Sequence, residues 1–166
     1  MTEPYYGKYR GIVTDNQDPL MTGRIRATVT GPMGSEESGW AMPCMPFTGS
    51  GCGLFALPPV GAGVWIEFEQ GSLERPIWCG GWWGSAADVP SETLTPPYQK
   101  FLIKTSGGQT VILDDTPGVG GITLQTSSGQ KITMSSMGIE IDNGMGGTIT
   151  LKGPQVSVNN GALDVV

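Results

Sequence analysis

Histidine is absent from the 166-residue sequence. This absence excludes Ser-His-Asp and Cys-His catalysis, His-Glu-x-x-His zinc sites and every other metal site that needs an imidazole ligand. Long apolar runs are absent as well, and no stretch approaches the roughly 20 apolar residues of a transmembrane helix. The amino terminus, MTEPYYGKYR, lacks the apolar segment of a secretion signal, so we expect the protein to be made in the cytoplasm.

Charged residues are scarce, at 14%, and the formal net charge is −6. A phosphate backbone repels an acidic chain unless its few cations cluster, so nucleic acid is not expected as a main partner. The three cysteines, Cys44, Cys52 and Cys79, are odd in number and match no metal-binding spacing, which predicts reduced thiols. We therefore expect no metal, no cofactor and no enzymatic activity.

Glycine and proline, in contrast, are abundant, with 27 and 13 residues. Both residues disrupt helix interiors, which excludes a helix bundle, and the glycines do not follow the three-residue period of collagen. The composition therefore predicts an all-β protein of short strands joined by tight turns.

The composition changes along the chain. All five tryptophans lie before residue 84, and no aromatic residue follows Phe101. A stretch of small residues and prolines at 85–97 separates the two regions and is typical of a linker. We therefore predict two domains, residues 1–95 and residues 96–166.

The first region predicts a small barrel of about five strands, at residues 6–14, 23–30, 54–57, 63–70 and 76–83. Two of these segments alternate cleanly between apolar and polar residues. Their apolar residues, expected to share one face in each strand, are Ile25, Ala27, Val29, Val64, Ile66 and Phe68. This strand count and length suit an OB-type barrel better than a β-sandwich.

In the second region, apolar residues recur two positions apart between glycine turns. The segment GQTVIL at 108–113 returns as GQKITM at 129–134, so the strands form a loose repeat. Each strand would carry one apolar face and one Thr/Ser/Gln face. The apolar residues are Val111, Leu113, Ile122, Leu124, Ile132, Met134, Ile139, Ile141, Ile149, Leu151, Val156 and Val158. Without large aromatic side chains to fill a monomeric core, this stripe is expected to pack against copies of itself around a shared axis. A monomeric β-meander or solenoid is the alternative.

Three segments match chemical motifs loosely, and each has a simpler structural interpretation. Glu67 and Glu69 would lie about 6.5–7 Å apart on one strand face, a separation found in glycosidases. They would project in parallel from an open strand, however, which indicates a solvated or interface surface. The segment DDTPG at 114–118 is interpreted as a turn, and the glycine-rich GSGCG at 49–53 as a barrel loop, since no phosphate-loop lysine follows it.

A cluster of cations and tyrosines supports a different function. Lys8, Arg10, Arg24 and Arg26 fall on the first two predicted strands, close to tyrosines at positions 5, 6 and 9. A basic surface with stacking aromatics on an OB-type barrel is one way to bind single-stranded nucleic acid. A single-stranded nucleic-acid module is therefore the alternative function, although the same patch could dock an acidic protein.

Several segments, in order, resemble the central-spike family of contractile injection machines, which includes phage baseplate assembly protein V, phage central spikes and the VgrG proteins of type VI secretion. The segments are YYGKYRGIV at 5–13, DPLMTGRIR at 18–26, WAMP at 40–43, LPPVGAGVWIEFE at 57–69 and RPIWCGGWW at 75–83. SGGQTVILDDTPG at 106–118 is similar to the start of the tail in these proteins.

The resemblance implies an OB barrel seated on a trimeric hub protein, followed by an intertwined homotrimeric β-helix that forms a needle. It also implies that the needle pierces the target cell envelope when a surrounding sheath contracts, within a phage virion tail or a related injection particle. The barrel residues that we expect to contact the hub are Tyr5, Tyr6, Arg10, Trp65 and Glu67.

This sequence departs from some family members. No lysozyme-like insertion is present, and without histidine a histidine-ligated iron at the apex is impossible. No hub domain precedes the barrel, so we expect a separate hub protein. The apolar residues Leu163, Val165 and Val166 predict contact with a tip protein of the PAAR type.

Overall fold

A computed structural model describes residues 4–34, 36–96 and 99–165 of the chain. Throughout these ranges the regular structure consists of β-strands and two short 3-10 turns, Glu69–Gly71 and Ser91–Thr93, with no α-helix. Accordingly, the described part of the chain offers no helix with the length and hydrophobicity that a bilayer crossing requires. The prediction of an all-β protein is confirmed.

The chain folds as two compact units, Met1–Asp88 and Val89–Val166. The predicted boundary near residue 95 lies a few residues beyond this division.

The first unit is built on a five-stranded sheet. Its strands are β1 (Tyr9–Asp15), β2 (Arg26–Val29), β3 (Met42–Pro43), β6 (Gly63–Phe68) and β7 (Pro76–Trp82), in the order β2-β1-β6-β7-β3. A small separate hairpin pairs β4 (Thr48–Gly49) with β5 (Cys52–Gly53). The glycine-rich segment 49–53 is therefore the tip of this hairpin.

The core of the first unit contains the residues that alternation predicted. Ile25, Ala27, Val29, Val64 and Ile66 are fully buried. Val13, Ala41, Phe68 and Trp78 complete the cluster. The indole of Trp78 donates a hydrogen bond to the Gly23 carbonyl at 3.0 Å, so even its polar atom is satisfied inside the core.

The strand predicted at 54–57 is wrong, because these residues form no regular structure. Two prolines, Pro58 and Pro59, follow directly. Proline has no N–H to donate and restricts the residue before it, which prevents the segment from pairing along a sheet. Leu57 nevertheless packs against the core as a partly buried side chain.

The second unit contains an eight-stranded antiparallel sheet in which every strand pairs with its neighbours in sequence. The strands are β8 (Lys100–Lys104), β9 (Thr110–Asp114), β10 (Gly121–Gln125), β11 (Lys131–Ser135), β12 (Gly138–Asp142), β13 (Thr148–Lys152), β14 (Gln155–Val158) and β15 (Leu163–Val165). Successive hairpins place turns alternately on the two edges of the sheet. This part of the chain is thus a continuous meander.

Candidate trimerisation surface

One face of the meander carries two rows of apolar side chains that run across all eight strands. Successive residues in each row are direct cross-strand partners, and we call these rows the first and second ladders. The first ladder is Ile103, Val111, Leu124, Ile132, Ile141, Ile149, Val158 and Leu163. The second ladder is Phe101, Leu113, Ile122, Met134, Ile139, Leu151, Val156 and Val165.

The ladders contain all twelve residues that the sequence pattern assigned to a trimer core. They also contain four residues that the pattern missed: Phe101 and Ile103 at one end, and Leu163 and Val165 at the other. These four have the same two-residue spacing, so the signal was present outside the repeated segments. The assignment of Leu163 and Val165 to a tip-protein contact stays a prediction, and Val166 lies outside the described residues.

The apolar face is open to solvent in the single chain. From β9 to β13, the exposed ladder side chains retain between 36% and 43% of their accessible surface. Seven strand spacings of about 4.8 Å make the stripe about 34 Å long. Contiguous apolar surface of this extent marks an interaction site, because an isolated soluble protein rarely leaves such a patch uncovered.

The opposite face is mostly polar. Its central row is Leu102, Ile112, Thr123, Thr133, Glu140, Thr150, Ser157 and Asp164. Side chains with a hydroxyl or carboxylate group occupy six of these eight positions, so the face is polar, as predicted. The sheet therefore has one polar face and one apolar face.

In the first unit, Arg10, Trp65 and Trp82 lie together on β1, β6 and β7. Arg10 is the cross-strand partner of Trp65. Its guanidinium carbon lies 5.9 Å from the Trp65 ring centroid and 5.3 Å from that of Trp82. These distances are within the range of cation–π attraction, which fixes an exposed cation above two indole rings.

Glu67 lies on β6, the strand that also carries Trp65, and forms an ion pair with Lys8. Lys8 donates hydrogen bonds to the Glu67 carboxylate and, at 3.0 Å, to Sγ of Cys79. These bonds, the one to Cys79 foremost, hold the pKa of Lys8 above its ordinary value. Glu67 is thus tied into an ion pair on the barrel surface.

The remaining candidates for hub contact do not all share this surface. Tyr5 packs edge-on against Tyr9 and Phe68, with ring centroids 6.4 Å away in each case, and belongs to the margin of the core. Tyr6 is exposed. The structure therefore brings Arg10, Trp65 and Glu67 to neighbouring strands, whereas Tyr5 has a packing role.

Asp18 is a buried carboxylate that organises the turn after β1. Nε and Nη2 of Arg24 donate to its Oδ1 at 3.0 and 2.6 Å, and the backbone N–H groups of Leu20 and Thr22 donate as well. The Arg24 bonds, with smaller contributions from the backbone, hold the pKa of Asp18 far below its usual range. No residue spacing in the sequence predicted this network.

The predicted basic patch is largely neutralised. Arg24 pairs with Asp18, Arg26 with Glu37 at 3.0 Å, and Lys8 with Glu67. Within the described ranges, only Arg10 of the four cations has no carboxylate partner. Because phosphate binding needs available cations, this arrangement weighs against the single-stranded nucleic-acid alternative.

The residues of the loosely matched chemical motifs take part in ion pairs and turns. Glu67 pairs with Lys8, while Glu69 lies in a 3-10 turn near Arg75, so the two carboxylates do not face one cleft. Asp114 accepts two hydrogen bonds from Thr116, at 2.5 and 2.9 Å, which hold its pKa below the usual value and define the turn after β9. In the described ranges, no three acidic or cysteine side chains lie close enough together to hold a metal ion.

Comparison with known families agrees with the division of the chain into two compact units. Residues 9–83 match the type VI secretion system/phage-baseplate injector OB domain. Residues 100–164 match the phage baseplate V C-terminal trimerisation domain. No curated protein matches the chain.

The two family matches follow one another in the order expected of a baseplate spike, and together they cover both compact units. The OB match agrees with the five-stranded sheet, and the trimerisation match covers nearly the whole meander with its open apolar face. The second match supports a homotrimer. The chain therefore belongs to the phage baseplate assembly protein V family, as a structural component of a baseplate injector.

Proposed function

We propose that this protein is the central spike of a contractile injection machine and acts by mechanical penetration of a target envelope. The observation that carries the proposal is the pair of uninterrupted apolar ladders, which cross every strand of the meander on one face. Their burial requires partner sheets, and the match to a trimerisation domain favours two further copies of this chain.

In the proposed needle, three meander sheets surround a common axis with their apolar faces inward. The strands then run across the axis, and their backbone hydrogen bonds run along it. Every interior strand finds both hydrogen-bonding neighbours in its own chain, so no strand edge opens along the length of the needle. The right-handed twist of each sheet would wind the three around one another, as expected for an intertwined assembly.

The proposed mechanism involves no chemical step. Thrust would be carried along the stacked strands by their hydrogen-bond ladders. The Thr/Ser-rich outer face presents no large apolar patch that would adhere to lipid during passage. Membrane piercing, the driving sheath and the setting in a virion tail or injection particle are inferred from the family.

We place the hub contact on the barrel surface around Arg10, Trp65 and Glu67. An exposed arginine held over two indoles offers both charge and apolar area, which is a composition enriched at protein interfaces. In the last strand of the meander, Leu163 and Val165 of β15 remain more exposed than the ladder residues of β9 to β13. We propose that a separate PAAR-type tip protein covers this end.

The proposal is tested by placing the same charge on the two faces of one strand. Ile132→Lys would put three ammonium groups on the needle axis, where burial without a partner is prohibitive. Thr133→Lys places the charge on the opposite face, beside the cross-strand Glu140, where a favourable pair can form.

Light scattering of the purified proteins gives the outcome directly. The unmodified chain and Thr133→Lys should have about three times the 17.4 kDa monomer mass, whereas Ile132→Lys should be monomeric or aggregated. A monomeric unmodified chain, or a trimeric Ile132→Lys variant, would show that the ladders do not form the core of the assembly.

A further inference from the structure

The two edges of the meander differ. The turns at 105–109, 126–130 and 143–147 lie along one side of the stack of strands, which we call the groove edge. The turns at 115–120, 136–137 and 153–154 lie along the other side, which we call the tip edge. The tip edge is distinct from the β15 end of the stack, where the tip protein is proposed to bind. The first ladder lies nearer the groove edge because its residues follow or precede those turns by only a few positions. A sheet with two unlike edges can form a head-to-tail contact with a rotated copy.

The groove edge borders a cavity of about 530 Å³ on the apolar face. First-ladder side chains, including Val111, Leu124, Ile132 and Ile141, contribute to its floor. Turn residues such as Thr126 and Asn143 contribute to its wall. The groove is therefore an apolar trough with a polar rim, open to solvent in the single chain.

The tip edge carries two apolar side chains that have no role in the single sheet. Val119 is 78% exposed in the turn between β9 and β10, and Met137 is 73% exposed in the turn between β11 and β12. Both side chains are open to solvent in the single chain and are therefore available to enter an apolar groove of another copy.

Symmetry places these side chains at the right heights. Rotation about an axis parallel to the stack of strands changes no residue's height along that axis. Val119, between β9 and β10, then has the height of Val111 and Leu124 in the next copy. Met137, between β11 and β12, likewise has the height of Ile132 and Ile141.

We propose that Val119 and Met137 of each copy insert into the groove of the next copy, at the three corners of the needle. The inference rests on the proposed trimer and adds the contact that closes it. Because the contact joins unlike edges, it repeats around a rotation axis and favours a closed ring over a face-to-face pair of sheets.

A matched pair of methionine substitutions tests the corner contact in the full-length protein. Met137→Lys should raise the protein concentration at which the trimer dissociates by at least about tenfold, because a charge would enter the apolar groove. Met21 is also strongly exposed at a turn, but it lies in the first unit and on neither edge of the meander. Met21→Lys should therefore change the dissociation concentration by less than about threefold.

A photoreactive benzophenone amino acid at position 137 gives an independent readout. Irradiation should join two chains, and the crosslinked residues of the second chain should fall within 126–132 or 141–143, which line the groove at that height. A trimer that tolerates Met137→Lys as well as Met21→Lys, or crosslinks that fall elsewhere, would refute the corner contact while leaving the trimer intact. If the unmodified protein is monomeric, the proposed function and the corner contact fail together.

Discussion

Replacing Ile149 by alanine should destabilise the assembled protein far more than a single chain. Ile149 lies in the first ladder between Ile141 and Val158 and is 39% exposed in the isolated sheet. Truncating a side chain with that much exposure costs about 1 kcal/mol. On a fully buried axis the same truncation costs about 2–5 kcal/mol for each chain. Three copies therefore lose about 6–15 kcal/mol per trimer.

Thr150→Ala is the matched control, since the neighbouring residue points to the opposite face and its truncation should cost at most about 0.5 kcal/mol per chain. Guanidinium unfolding, followed by circular dichroism at protein concentrations spanning about a hundredfold, measures both variants. The midpoint should rise with protein concentration and fall sharply only for Ile149→Ala. Equal shifts for the two variants would mean that the ladder face stays in water, and the reasoning from the ladders would be refuted.

Three further outcomes are expected. Gly138 has φ +128°, and a Cβ at this position would overlap the carbonyl oxygen of Leu151. Gly138→Ala should therefore melt several degrees below the control Gly146→Ala, because φ at Gly146 is also positive, at +95°, but a Cβ there meets no other atom. Equal melting temperatures would contradict the close approach of Gly138 to Leu151. Asp18→Asn should lower the melting temperature by about 4–8 °C at neutral pH. Because folding lowers the pKa of Asp18, its contribution to stability is full above the unfolded pKa of about 4 and is lost as the pH falls below that value. The melting temperature should therefore fall less steeply between about pH 7 and pH 2 for Asp18→Asn than for the unmodified protein. Parallel curves of melting temperature against pH would exclude this role. Fluorescence anisotropy with a labelled single-stranded oligonucleotide at low salt should show no binding, and binding that weakens steeply with salt would revive the nucleic-acid alternative.

The second unit was largely predictable because its signal is local. Apolar residues two positions apart, separated by glycine turns, specify both the strands and the face that each presents. Phe101 and Ile103 were missed because they precede the first repeated segment, although their spacing is the same. Leu163 and Val165 were assigned to a tip contact rather than recognised as part of the ladders, since the eighth strand has no repeated segment of its own.

The surface of the barrel was less predictable because its contacts are distant in sequence. Arg10 meets Trp65 and Trp82 only after β1, β6 and β7 have paired, and no spacing rule connects these positions. The Asp18 network likewise depends on a folded turn that brings Arg24 back onto the carboxylate. The false strand at 54–57 arose because the two prolines that follow were interpreted only as the end of a strand, whereas they keep the segment from pairing at all.

Since each strand of the meander pairs only with its neighbours in sequence, the second unit behaves as a one-dimensional array. Removing one strand would reverse the direction of every later strand and exchange the two edges. Removing two consecutive strands with their turns would preserve both faces and edges and shorten the stack by about 10 Å. The reach of such a protein can therefore lengthen or shorten in two-strand steps, each compatible with the same assembly, without redesign of the remaining sequence.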